Sequence, residues 1–259
     1  MKKPLNFVFA ILISIDLFSQ GNISIDLNQN WTFRKSGDSG WLPASVPGCV
    51  HTDLLNNKII NNPFYGDNEA SVQWIEKEDW EYQTFFNVER KLLKEQHIQL
   101  LFEGLDTYAD VYLNDSLILQ ANNMFREWKV DVKPFLHKGK NRLYIKFKSA
   151  VVTGKNLMNN YQLKLPGEER VFTRKAQYQY GWDWGPRFVT CGIWKNVAIS
   201  AFNISISPHS KIEVREITRE KAFCDLRIVL TDLEYKDPAF FSGKPPEIII
   251  TNKSSGAIY

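Results

Sequence analysis

The sequence predicts an all-β protein: a jelly-roll sandwich of antiparallel strands, followed by a truncated immunoglobulin-like β-sandwich. Three observations carry that prediction. First, short runs rich in aromatic and branched residues recur along the chain: Trp80–Val88, Ile98–Glu103, Tyr108–Leu113, Trp128–Val132, Asn141–Lys148 and Trp194–Ala201. Second, several of them alternate, with Leu143, Ile145 and Phe147 set against Arg142, Tyr144, Lys146 and Lys148, and Val111 and Leu113 against Asp110 and Tyr112. A strand with one buried and one wet face reads this way, which is the mark of antiparallel sheets. Third, turn-forming residues punctuate the runs at Asn114-Asp115, His137–Asn141 and Cys191-Gly192. Many short strands joined by polar turns fold as two packed sheets.

Helical patterns are confined to His51–Asn57 and Leu157–Leu163. The texture changes at Asn203–Lys211, a connecting strand broken by Pro208. Beyond it, Lys211–Thr218, Phe223–Thr231 and Glu247–Thr251 read as strands, with a Pro/Gly loop over Asp237–Pro246. An immunoglobulin-like sandwich needs about seven strands and roughly 100 residues, so this stretch is about half of one. The expected organisation is a leader over residues 1–20, a jelly-roll domain over 22–203 and a partial immunoglobulin-like domain over 204–259.

The leader is read from Lys2-Lys3, the apolar run Leu5–Ile15 and the polar Ser19-Gln20-Gly21. That is the order of a secretory signal peptide, and the run is too short to span a bilayer. Asp16 and the absence of an Ala-x-Ala site depart from the pattern. The expected location is periplasmic or extracellular. With 44% hydrophobic and 14% aromatic residues, the chain has ample material for a core. A net charge of +3 from 32 scattered basic and 29 acidic residues argues against nucleic acid or an anionic membrane as partner. Three widely spaced cysteines and four histidines without ligand spacing predict no disulfide framework and no metal site. Asn22, Asn114, Asn203 and Asn252 open Asn-x-Ser sequons.

The run Gln177–Arg187, QYQYGWDWGPR, is the densest concentration of recognition chemistry. In an extended segment, Trp182 and Trp184 face one side and Asp183 the other. Aromatic rings covering apolar sugar C–H faces, beside a carboxylate accepting hydrogen bonds from hydroxyls, is how proteins hold carbohydrate. The structural alternative is a Trp-rich core strand with Asp183 paired to Arg187 or Arg174.

Further blocks accompany it in order: VPGCVHTDLL (Val46–Leu55), NPFYGDNE (Asn62–Glu69), FEGLDTYA (Phe102–Ala109), NMFREW (Asn123–Trp128), Arg174-Lys175 and Gly192–Trp194. Together with GWDWGP (Gly181–Pro186), they resemble the N-terminal region of beta-mannosidases of glycoside hydrolase family 2, from about Trp31 to about Ala201. The resemblance implies a galactose-binding-like jelly roll, then an immunoglobulin-like domain, then a (β/α)8 barrel that carries both catalytic carboxylates. It implies removal of terminal non-reducing β-D-mannose with retention and without a cofactor. Retention requires two carboxyl groups about 5–5.5 Å apart, mounted on a barrel of about 250 residues. No strand–helix alternation of that kind occurs here, so no catalytic residue is assigned in this chain, and the missing barrel is its expected partner. The alternatives are a stand-alone carbohydrate-binding module and a related family-2 glycosidase of other sugar specificity.

The resemblance assigns Asp183 to the hydroxyls of the terminal sugar, and Trp182 or Trp184 to the pocket wall, with one of them packing into the core. It makes Asn68, in a loop expected to reach over the barrel mouth, a further sugar contact; the alternative is a turn residue bonding its own backbone. Glu69 is read as a loop carboxylate, not an acid catalyst. Arg174 and Lys175 either brace the Trp-rich loop or form a solvated pair. Val46–Leu55 is read as a turn entering a helix capped by Thr52 or Asp53, not as a Ser45–His51–Asp53 triad. In the Gly104–Thr107 segment, Gly104 serves a tight turn, and Asp106 and Thr107 bond local backbone.

Overall fold

The computed structural model describes residues 13–18, 23–203, 205–206, 211–217, 222–227, 230–231 and 247–252. The chain divides into two compact units, Ile23–Ala201 and a second comprising Met1–Asn22 with Phe202–Tyr259.

The first unit is a two-sheet sandwich. One sheet has six strands in the order Leu42–Ala44, Trp31–Lys35, Trp80–Val88, Gly139–Lys148, Tyr108–Leu113, Ser116–Asn122; the other has four, Trp128–Asp131, His97–Phe102, Val197–Phe202, Ile23–Asp26. All five pairings of the six-stranded sheet are antiparallel, as are those of Trp128–Asp131 with His97–Phe102 and of Val197–Phe202 with Ile23–Asp26. Ile145 pairs with Val111 on one side and Tyr82 on the other, so the inward positions of three strands lie in one row. Leu143, Ile145 and Phe147 are fully buried, while Arg142, Tyr144 and Lys146 between them stay partly in water, as the alternation requires. Ile98, Leu100 and Phe102 from the facing sheet join the same core as Val197, Ile199 and Ala201. The Tyr82 ring meets Phe147 edge-on at 5.6 Å.

Local chemistry explains the connections. Asn114 and Asp115 have φ of 49° and 67°, the left-handed pair that a two-residue hairpin turn demands. The Asn114 amide is engaged, donating to Phe135 O at 2.8 Å and Asn141 Oδ1 at 2.7 Å, so this sequon serves the turn. The first helix, Val50–Asn56, begins at Cys49, whose backbone N–H donates to the Thr52 hydroxyl at 3.3 Å. The expectation of Thr52 or Asp53 as the cap is corrected: Cys49 holds the cap position and Thr52, three residues on, accepts its N–H, while Asp53 bonds Ser45 N and Tyr82. At Gly48 a Cβ would lie 2.3 Å from the Ser45 carbonyl oxygen, so the turn into this helix admits only glycine.

Two further expectations need correction. The helix expected over Leu157–Leu163 runs instead over Ala150–Asn159, because the Ser149 hydroxyl caps it by accepting from Val152 N at 3.0 Å. Gly104 is required by close approach and not by a turn: a Cβ there would sit 2.4 Å from the Trp194 indole nitrogen.

In the second unit, Lys211–Ile217 pairs antiparallel with Ala222–Arg227, Ser205–Ile206 with Leu230–Thr231, and Ile13–Phe18 with Glu247–Asn252. Ile212, Val214, Ile217 and Phe223 expose their side chains. The expected leader falls on residues 1–20, of which 1–12 and 19–20 lie outside the described residues, as does the expected loop Asp237–Pro246. No helix among the described residues is long and apolar enough to cross a membrane.

Two buried ionisable groups on the first helix make stability depend on pH in opposite senses. Burial, opposed by hydrogen bonds from Ser45 N and the Tyr82 hydroxyl, pushes the Asp53 carboxyl from 3.8 up to about 6. Burial, reinforced by the Lys175 charge, pushes His51 from 6.5 down to about 4. The Asp53 contribution is complete below pH ~3.8 and is lost as pH rises through about 6; the His51 contribution is complete above pH ~6.5 and is lost as pH falls through about 4. His51→Leu removes only the second, and the unpartnered Nδ1 with it. Urea unfolding at pH 6.5 and 4.5 should show the variant gaining about 2 kcal/mol on wild type as the pH falls; a pH-independent difference contradicts it. Separately, the exposed apolar face of the second unit favours association. A chain ending after Phe202 should be more soluble and more monodisperse by light scattering than the 259-residue chain; equal or worse behaviour refutes this.

Candidate functional site

The Gln177–Arg187 run is a short β-hairpin, Tyr180–Trp182 paired with Gly185–Arg187, rather than a single extended strand. Trp182 faces Gly185, which leaves Asp183 and Trp184 as a two-residue tip. Gly181 has φ +87°, a conformation side chains resist. The folded-back chain puts the Trp182 and Trp184 rings beside each other, 6.5 Å apart at 49°. Trp184 is 78% exposed and Trp182 51%. The expectation that one indole packs into the core is therefore incorrect: both sit at the exposed end of the hairpin, Trp182 on its last rung and Trp184 in the turn. Asp183 is exposed and has no hydrogen bond or ion pair among the described residues, so it is not tied to Arg187 or Arg174. Arg170 lies over the Trp182 ring at 5.8 Å.

The hairpin grows from a buried ionic base. The Lys175 ammonium is fully buried and lies 2.5 Å from Asp106 Oδ1. It also donates to the Thr190 carbonyl at 2.7 Å, on the far side of the hairpin. The Thr107 hydroxyl donates to the same carboxylate oxygen, and Gln179 Nε2 donates to the other at 3.2 Å. Gln179 Oε1 in turn accepts from Thr190 N at 3.3 Å. Lys175 thus braces the loop from inside the protein, while Arg174 is exposed and contributes backbone: its carbonyl accepts from Met124 N at 3.0 Å. The reading of Asp106 as a local backbone partner is corrected. Its role is long-range, and neither half of the pair announces its partner 69 positions away.

The loop over 62–76 is joined to the same hairpin. Glu69 Oε1 accepts from Arg187 N at 2.7 Å, and Gln73 Nε2 donates to Arg187 O at 2.9 Å. Glu76 takes the Arg187 guanidinium bidentately, at 2.9 Å to Nε and 2.9 Å to Nη2. The Phe64 ring meets Phe188 edge-on at 5.2 Å, and Phe188 packs on His51. Glu69 is therefore a loop carboxylate that caps backbone. Asn68 opens the short helix Asn68–Ser71, and its amide donates to Asn62 O at 2.9 Å. That bond is the backbone-capping alternative for Asn68, with Oδ1 left as its remaining acceptor. Phe64 and Tyr65, 75% and 78% exposed, add aromatic surface to the same loop; their side chains were not singled out in the sequence because aromatics there read equally well as core.

No triad forms at Ser45, His51 and Asp53. Asp53 is occupied by Ser45 N and Tyr82, and the His51 Nδ1 atom has no partner. Among the described residues, no group of three or more His, Cys, Asp or Glu is placed to hold a metal ion. What the two joined loops offer is exposed aromatic rings, an unpaired carboxylate and amide groups, the chemistry that contacts sugar hydroxyls and C–H faces.

A family model described as glycosyl hydrolase 2 galactose-binding domain-like matches residues 31–195. Beta-mannosidase of Capra hircus is 37% identical over 198 residues, 72% of this chain and 22% of that protein. Beta-mannosidase B of Thermothelomyces thermophilus is 38% identical over 193 residues, 71% of this chain and 22% of its own length. The crystal structure of beta-D-mannosidase from Dictyoglomus thermophilum superposes with a TM-score of 0.75 at 40% identity, covering 80% of this chain and 26% of that one. The exo-chitosanase of Amycolatopsis orientalis, at 18% identity and a TM-score of 0.56, shares the fold. The chain spans about a fifth of the length of the curated relatives it matches. With more than half of its residues matched by one family model, the chain belongs to the galactose-binding-like domain family of family-2 glycosyl hydrolases.

Proposed function

We propose that this chain is the N-terminal part of a retaining beta-mannosidase that removes terminal non-reducing β-D-mannose residues. Its two joined loops form one wall of the sugar pocket, and the catalytic carboxylates lie on a barrel outside these 259 residues. The observation that carries the reading is the exposed tip Trp182–Asp183–Trp184, held against the loop that bears Asn68. An exposed carboxylate with no cation beside it is free to accept hydroxyl hydrogen bonds, and the paired indoles present a surface for a sugar C–H face. Identities of 37–40% to mannosidases favour a mannoside over the other family-2 sugars, whose enzymes share only the fold at 14–19%. In this reading residues 22–203 are the jelly-roll domain, residues 204–259 begin an immunoglobulin-like domain, and the leader directs export to the periplasm or beyond.

The isolated chain should release no nitrophenol from an aryl β-D-mannoside above the rate of the heat-denatured chain; measurable turnover contradicts the reading. Joined to the barrel in a longer protein, Asp183→Ala should lower kcat/KM by about 10–100-fold, the loss of hydrogen bonds to a charged acceptor worth about 1.5–3 kcal/mol. An unchanged kcat/KM removes Asp183 from the pocket. Calorimetry of residues 22–203 with mannose separates this reading from a stand-alone binding module. An open tip acting without its barrel should bind no more tightly than millimolar, whereas micromolar affinity identifies a module.

A further inference from the structure

Arg187 has every polar group committed. Its backbone N–H donates to Glu69 Oε1 at 2.7 Å, and its carbonyl accepts from Gln73 at 2.9 Å. Its Nε and Nη2 grip Glu76, Nη2 also faces Glu169 Oε1 at 3.4 Å, and Nη1 donates to the Tyr180 carbonyl at 3.2 Å. Glu76 and Glu169 are both buried, so a single guanidinium compensates two carboxylates removed from water. These carboxylates come from two different segments, the 3-10 turns Ile75–Lys77 and Glu168–Phe172. Beyond the Tyr180–Arg187 rung the hairpin has only the Trp182–Gly185 rung and an exposed tip. An isolated two-stranded hairpin of that size does not hold a pose in water.

We propose that Arg187 is a positioning residue: it fixes the direction of the Trp182–Asp183–Trp184 tip relative to the loop over 62–76, so that the two loops move as one body. This rests on the reading of the tip as a sugar-contacting element, but the positioning itself is measurable without sugar. The fork geometry is essential to it. Lysine keeps the charge but cannot grip Glu76 at two points, and Glu76→Gln keeps the shape while removing the charge. Removing either end should release the hairpin without unfolding the sandwich, whose core lies elsewhere.

The test is residual dipolar coupling and 15N relaxation on the full chain, for wild type, Arg187→Lys and Glu76→Gln. In wild type the amides of residues 180–187 should fit the alignment tensor of the sandwich, with order parameters near ~0.85. In both variants the same amides should lose that fit, with order parameters falling below ~0.6, while the amides of Gly139–Lys148 are unchanged. Should Arg187→Lys fail to fold, Glu76→Gln decides alone. A variant that merely lowers the melting temperature, with the hairpin couplings still fitting the sandwich tensor, overturns the proposal and leaves Arg187 as an ordinary brace. That result would not touch the sugar-contact reading, which stands or falls on Asp183 and kcat/KM.

Discussion

The pairing of Lys175 with Asp106 is the constraint on which the site depends. Lys175 enters the hairpin segment and Thr190 leaves it, and the lysine ammonium binds Asp106 and the Thr190 carbonyl together. One buried cation thus closes the base of the loop and ties it to the strand Leu105–Asp106. Removing two charges from water is costly, and the cost is offset only when their remaining hydrogen-bonding capacity is filled. Here Thr107 and Gln179 fill it on the carboxylate side. Burial lowers the proton affinity of His51 most, and the charge of the same cation adds to it, so the ionic base is felt in the neighbouring helix.

A buried base and an exposed tip divide the labour. The core of the sandwich fixes where Leu105–Asp106 and Gly192–Ile193 pair, and those two residues pairs bracket the loop from below. Arg187 then couples the upper part of the hairpin to the loop over 62–76. At the tip, Asp183 has no side-chain partner among the described residues, and the two indoles touch each other, with Arg170 over Trp182. The direction in which these exposed side chains project is set by the buried ionic groups below them.

Much of this was legible in the sequence. The strand alternation at Leu143, Ile145 and Phe147 reports the pleat directly, and the all-β sandwich followed from it. Asp183, Trp182 and Trp184 stood out in the sequence as a dense aromatic and acidic cluster, and the structure leaves all three exposed. Their geometry was not legible, since spacing two implies an extended strand and only the Trp182–Gly185 pairing reveals a turn. The ion pairs of Lys175 with Asp106 and Arg187 with Glu76 were hidden for another reason: their members lie 69 and 111 positions apart, and charge type alone does not choose a partner across the fold. The helix Ala150–Asn159 starts seven residues before the expected Leu157 because its cap, Ser149, is an ordinary serine at the end of a strand.

The most direct test of the ionic base is a double-mutant cycle on Asp106→Asn and Lys175→Met, read as unfolding free energy in urea. Lys175→Met alone leaves a buried carboxylate uncompensated and should cost about 3–5 kcal/mol. If the pair is the closing interaction, the double variant will be less destabilised than the sum of the singles by at least ~1 kcal/mol. Strictly additive losses would show that the two residues act independently, and the hairpin would need another foundation.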